Sequence, residues 1–199
     1  SEIAALPPGD AKRRDNVLTA TARDSAARIC AETLWPMISN LFKARHVEVA
    51  NKFIGNLYLQ HLYNTPEDND EQKVFHSDTF FPAIKFWYFP QAVGEADGPL
   101  MYVPNSPTLT TQLLAWYQTQ VDKIRRGDVE PWRGRGHREG SLRISLEEIA
   151  ALGLKPEAVT VGADTLVIAN VFGFHRRGDT TKPTHRFALH GSIRIDRPI

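Results

Sequence analysis

Cysteine is nearly missing: Cys30 is the only one in 199 residues. A lone cysteine closes no internal disulfide, which excludes a disulfide-stapled secreted fold and makes a reducing, cytoplasmic setting the expectation. Long apolar runs are missing as well. No stretch reaches the roughly 18 residues that would mark a bilayer-spanning helix, and the opening SEIAALPPGD has no secretory h-region. An excess of one charge is also absent, with 24 Lys and Arg against 23 Asp and Glu. A net charge of +1 sets up no strong field, so neither nucleic acid nor an anionic membrane surface is an expected partner. There is no internal repeat and no low-complexity tract. The chain begins at Ser1 without an initiator Met, which leaves processing, trimming or a longer parent protein open.

What is present is an ordinary globular mixture: 42% apolar, 24% charged and 10% aromatic residues. One domain spanning 1–199 is the default at this length, and it is large enough to bury a core. Residues 1–16 read as an arm. The Ala-rich run from Leu18 to Leu34 reads as a helix, and Pro36 suits the first turn of a second one, WPMISNLFKAR. Strands follow. KFIGNLYLQHLY (52–63) alternates, with Asn56, Tyr58 and Gln60 on one face; TPEDNDEQK (65–73) is a polar loop; AIKFWYF (83–89) is a strong strand. GEADGPLMYVPNSP encloses a short strand between turns.

TTQLLAWYQTQVDKIRR (110–126) predicts an amphipathic helix with Leu113, Leu114, Tyr117, Val121 and Ile124 on its stripe. Residues 128–140, rich in Gly and charge, form a loop and a candidate lid. SLRIS (141–145) suits a strand, and Ser145 with Glu148 has capping-box spacing for a short helix that Gly153 ends. AVTV, TLVIANV and RFALHGSIRI return to strands. Helices followed by many short strands predict a mainly β fold with N-terminal helices, a sandwich or jelly roll.

The chemistry lies in His76-Ser77-Asp78, in His175 found 97 residues beyond Asp78, and in Arg186 another 11 residues on. Two imidazoles and a carboxylate are the ligand set of a non-haem Fe(II) site with open positions. An arginine just past the last ligand suits a carboxylate-bearing cosubstrate. On spacing alone, His76 and Asp78 serve equally as a loop-edge ion pair, His175 as a core histidine and Arg186 as a surface arginine. His185 and His190 stand as competing ligands.

The flanking sequence adds weight. VFHSDTFFP, GEADGPLMYVPNSP and VGADTLVIANVFGFHRRGDTTKPTHRFALHGSIR together resemble the phytanoyl-CoA dioxygenase family of Fe(II)/2-oxoglutarate-dependent oxygenases, over about residues 50 to 195. The chain departs from that pattern in having Pro104-Asn105-Ser106-Pro107 where the family often has Pro-Gly-Ser-His. It also has Gly162-Ala163-Asp164 for the family's Gly-Asp turn.

The resemblance implies a double-stranded β-helix (a cupin-like jelly roll) with Fe(II) on His76, Asp78 and His175. It implies 2-oxoglutarate held by Arg186, and O2 as the oxidant. It also implies hydroxylation of an unactivated C–H of a small molecule, with release of succinate and CO2. Halogenases of the family carry a small residue where this chain has Asp78, so hydroxylation is expected over halogenation. Gln60, Asn64 and Trp87 are further candidates for cosubstrate contact, and Tyr58, Arg177 and Arg135 for substrate contact. The arginines near the mouth point to an anionic substrate. Two rivals share the fold: a different metalloenzyme, indifferent to Arg186, and a non-catalytic binding module, indifferent to metal.

Overall fold

The computed structural model describes residues 13–14, 32, 36, 58–67, 70–80, 83–129 and 141–194. The expected N-terminal helices lie outside this set, apart from helical backbone at Glu32 and Pro36. The candidate lid also lies outside it, apart from Asp128 and Val129.

Two five-stranded antiparallel sheets build the domain. The first has the order β1 (Arg13–Arg14), β2 (Tyr58–Asn64), β10 (Thr184–Arg194), β4 (Ala83–Phe89) and β8 (Thr165–Asn170). The second has the order β6 (Leu142–Arg143), β3 (His76–Ser77), β9 (His175–Arg177), β5 (Leu100–Tyr102) and β7 (Glu157–Val159). Strands that follow one another in the chain repeatedly change sheet: β2 to β3, β3 to β4, β8 to β9 and β9 to β10. This to-and-fro is the jelly roll expected from the sequence.

Part of the expected arm is sheet. Arg13 and Arg14 pair with Leu62 and His61 at the edge of β2. A two-residue strand has no readable period, and only its long-range partner reveals it.

Helix α1 (Thr111–Arg126) begins at Thr110, whose hydroxyl accepts from Leu113 N at 3.1 Å, and ends at Gly127 with φ 72°. Its buried positions are Leu113, Tyr117 and Gln120. Leu114, expected on the stripe, is 52% exposed. The reason is angular: positions 113, 117, 120 and 124 recur at the helical period, and Leu114 is turned about 100° away from them. Helix α2 (Leu146–Ala151) carries the complete capping box between Ser145 and Glu148.

Residues of both helices pack with Phe75, Val103, Leu142, Phe172 and Phe174 in one apolar cluster. Three of these five residues directly precede or follow strands of the second sheet, so the cluster fixes that sheet and the turns entering it. No helix among the described residues is long and apolar enough to cross a membrane.

Candidate metal centre and its cavity

His76 and His175 are register partners across β3 and β9. Residues directly opposite in an antiparallel ladder project to the same side, and residue i+2 of a strand projects there as well. The His-x-Asp spacing and the register therefore send His76, His175 and Asp78 to one side. The ring centroids of the two histidines lie 4.6 Å apart. His76 Nε2 is 3.7 Å from Asp78 Oδ1, and His175 Nε2 is 3.7 Å from Asp78 Oδ2. One donor atom from each residue falls within 4.8 Å of the other two. Among the described residues this is the cluster of three or more such groups that a cation fits, and His185 and His190 do not join it.

Backbone carbonyls set the imidazole tautomers. His76 Nδ1 donates to Val74 O at 2.7 Å and His175 Nδ1 to Gly173 O at 2.9 Å. A carbonyl only accepts, so the proton resides on Nδ1 and each Nε2 presents a lone pair. Burial holds both rings neutral: it pushes His76 down to about 3, reinforced by the neighbouring His175, and it also lowers His175. For Asp78, burial works upward, but the Lys85 ammonium, by its charge and its hydrogen bond, outweighs it and holds the carboxyl below its usual range. Two bare nitrogen lone pairs and a carboxylate thus face one another with no proton between them. That donor set fits a divalent cation of borderline hardness.

Neighbouring segments brace these residues. Asp78 N donates to Val171 O at 2.9 Å, and Val103 N donates to Phe174 O at 2.9 Å. Ser106 is fully buried; its hydroxyl donates to Val103 O at 2.7 Å and accepts from Phe174 N at 2.8 Å, one residue before His175. Asn105 takes φ 65° in this turn, a conformation asparagine tolerates, so the Pro-Asn-Ser-Pro sequence still makes a tight corner.

The triad opens into a cavity of about 180 Å³ between the sheets. Gln60, Lys85, Trp87, Arg186 and His190 line it from the first sheet. Arg176 and Arg177 line it from the second. Arg186 donates from Nη1 to Gly98 O. Burial, and then the charge of Arg177, lower the Arg186 guanidinium to about 9. Arg177 is itself held by Asn64 Oδ1 at 3.0 Å and by Asp70 Oδ2 at 3.0 Å. Asn64, fully buried, therefore stands behind Arg177 and is not among the cavity-lining residues. Trp87 stacks on His190 with centroids 5.3 Å apart. The side chains of Tyr58 and Arg135 lie outside the described residues.

Lys85 was not singled out in the sequence. Alternation from Trp87 points to it, because i−2 on the same strand shares its face, and a lysine inside AIKFWYF is the one charged residue of that run.

No protein-family model matches the chain, and no curated protein matches it by sequence. Solved structures do match. HygX from Streptomyces hygroscopicus with iron bound is 14% identical, with a TM-score of 0.51 over 96% of this chain and 73% of that one. AviO1 from Streptomyces viridochromogenes is 13% identical, with a TM-score of 0.51 over 98% and 73%. The epimerase SnoN, in complex with Fe3+, alpha ketoglutarate and nogalamycin RO, is 17% identical, with a TM-score of 0.49 over 90% of this chain and 61% of that one. The chain thus spans less than two thirds of the SnoN chain. At these identities the shared property is the fold.

Proposed function

We propose that this chain is an Fe(II)- and 2-oxoglutarate-dependent oxygenase of the hydroxylase type, similar to the phytanoyl-CoA dioxygenase family, acting on a small anionic molecule in the cytoplasm. The observation that carries this reading is the convergence of His76, Asp78 and His175 within 4.8 Å, with both imidazoles already in the metal-binding tautomer. The iron-bound state of HygX, which shares the fold, supports iron as the metal.

When bound, Fe(II) with O2 and 2-oxoglutarate supplies an oxidant for an unactivated C–H bond while the cosubstrate is decarboxylated to succinate and CO2. The chain's own residues do the placing. His76, Asp78 and His175 would hold the metal with three donor atoms, a set that leaves positions for cosubstrate and O2. Arg186, a desolvated guanidinium held on the backbone carbonyl of Gly98, is a counter-charge for the distal carboxylate of 2-oxoglutarate. Trp87 and His190, stacked on each other, form an aromatic wall that limits water.

Arg177, braced by Asn64 and Asp70, leaves the cavity rich in fixed positive charge. That supports an anionic substrate, with Gln60 offering an amide from the first sheet.

Anaerobic titration of the metal-stripped chain with Fe(II) and then 2-oxoglutarate tests the class. A weak visible charge-transfer band should develop only when both are present, and succinate should form once air is admitted. No band, or an unchanged band after Arg186→Gln, would sink the proposal. Succinate yield then ranks candidate substrates, with carboxylates and phosphates ahead of neutral analogues.

A further inference from the structure

Lys85 sits where a metal centre would least be expected to place a cation. Its strand partners are Ser192 on β10 and Ala169 on β8, both small and uncharged. Its side chain is 22% exposed, and its Nζ lies 2.5 Å from Asp78 Oδ2. An ordinary lysine sends its ammonium to water. This one reaches into the donor cluster and pairs with the only carboxylate there.

We propose that Lys85 is a built-in counter-cation of the metal centre: it weakens binding of a divalent metal alone and strengthens binding of a dianionic cosubstrate beside that metal. The inference rests on the metal and cosubstrate reading above. The charges decide its direction. Lys85 offsets the charge of Asp78, so a divalent ion entering by itself meets no net attraction from that pair, and the ammonium then attracts a dianion beside the metal. Without Lys85 the metal would meet the bare carboxylate, and the dianion would lose one cation of a cavity that still holds Arg186.

Unit charges a few ångströms apart alter a binding constant by more than tenfold even at an effective permittivity of about 20. Lys85 also occupies one carboxylate oxygen, which favours single-oxygen ligation by Asp78 and keeps a coordination position open. Arg186 and Arg177 do not supply this effect through the ligand, because they are held by Gly98 O and by Asn64 with Asp70. Lys85 is thus a positioning residue acting through Asp78.

The test is calorimetric titration of the metal-stripped full chain with Mn(II), with and without saturating 2-oxoglutarate. The unsubstituted chain is compared with Lys85→Met and Lys85→Arg. The expected result is Mn(II) binding at least about tenfold tighter in Lys85→Met without 2-oxoglutarate. Titration of the Mn(II)-loaded chain with 2-oxoglutarate should show the opposite sign, binding at least about tenfold weaker in the same variant, because the ammonium that repels the cation attracts the dianion. Lys85→Arg keeps the charge and should keep both constants. Lys85→Gln replaces Lys85→Met if the latter does not fold.

A merely structural lysine would move the melting temperature and leave both binding constants intact, and that result would overturn the inference. Failure of the unsubstituted chain to take up Mn(II) would overturn the metal site and this inference together. Equal Mn(II) constants and equal 2-oxoglutarate constants in the unsubstituted and Lys85→Met proteins would overturn this inference alone.

Discussion

His76 and His175, separated by 99 positions in the chain, face each other directly in the β3–β9 ladder, and each ring donates from Nδ1 to the carbonyl two residues before it. The repeated local motif aims both Nε2 atoms at Asp78. Replacing either histidine with alanine should therefore weaken Mn(II) or Fe(II) binding by more than about 100-fold, since losing even an outer-shell partner of a ligand costs roughly 10–100-fold. The fold should persist, because the core cluster lies against the helices. Calorimetry with circular dichroism checks both halves. Unchanged metal affinity in His175→Ala would remove the centre.

Acid should loosen the metal-stripped chain in a defined window. Unfolded imidazoles take up protons near 6.5, whereas burial keeps folded His76 unprotonated down to about 3 and lowers His175 too. Below pH 6.5 the unfolded state therefore binds more protons. Stability is complete above that value and is lost as pH falls toward 3, with each imidazole contributing up to about 1.4 kcal/mol per pH unit. Urea unfolding at pH 7.5, 6 and 5 should show the decline, and His76→Gln should make it shallower. An unchanged slope in that variant would place the acid sensitivity elsewhere.

The parts of this architecture that were legible in the sequence are those with local signals. AIKFWYF is a strand for its whole length, and the Ser145–Glu148 capping box forms as its spacing demands. His76, Asp78 and His175 were readable because a two-residue offset and a family resemblance both pointed at them. What escaped depends on partners far away in the chain. The residues His175–Arg177 were assigned to no strand, yet they form β9, since their strand pairing comes from β3 and β5. Asn64 bonds Arg177, 113 positions on, a partner that no local pattern names. Lys85 lies on the cavity face of a strand covered on both sides, and only the second sheet's arrangement shows that its neighbour is a carboxylate.

Arg186→Gln separates function from stability. Charge-assisted hydrogen bonds contribute about 1.5–3 kcal/mol each, so losing a paired contact to a carboxylate should weaken 2-oxoglutarate binding by on the order of 100-fold or more. Arg186→Lys should recover little, because a point charge does not reproduce the planar fork. Without cosubstrate, the guanidinium is desolvated and lies beside the like charge of Arg177. The melting temperature of the ligand-free Gln variant should therefore hold or rise. A large fall in melting temperature with intact 2-oxoglutarate binding would make Arg186 a structural residue.

Gly98 should matter to the cosubstrate through its backbone. Its carbonyl accepts from Arg186 Nη1, and its φ of 69° lies in the left-handed region. A Cβ there would meet Thr180 Cγ2 at 2.9 Å and Gly178 O at 3.0 Å. The second contact is backbone, and Gly178 N is bonded to Pro99 O at 2.6 Å, so neither side yields easily. Gly98→Ala should thus displace the carbonyl that holds Arg186. Gly127 supplies the control: its φ is 72°, nothing lies within 4 Å of its added Cβ, and it caps α1. Gly127→Ala should cost only the left-handed strain of about 1–2 kcal/mol and leave 2-oxoglutarate binding unchanged. Gly98→Ala should lower stability further and weaken 2-oxoglutarate binding about tenfold or more, the size expected for losing one charged hydrogen bond. Equal melting temperatures and equal 2-oxoglutarate constants in the two variants would break the link between this turn and Arg186.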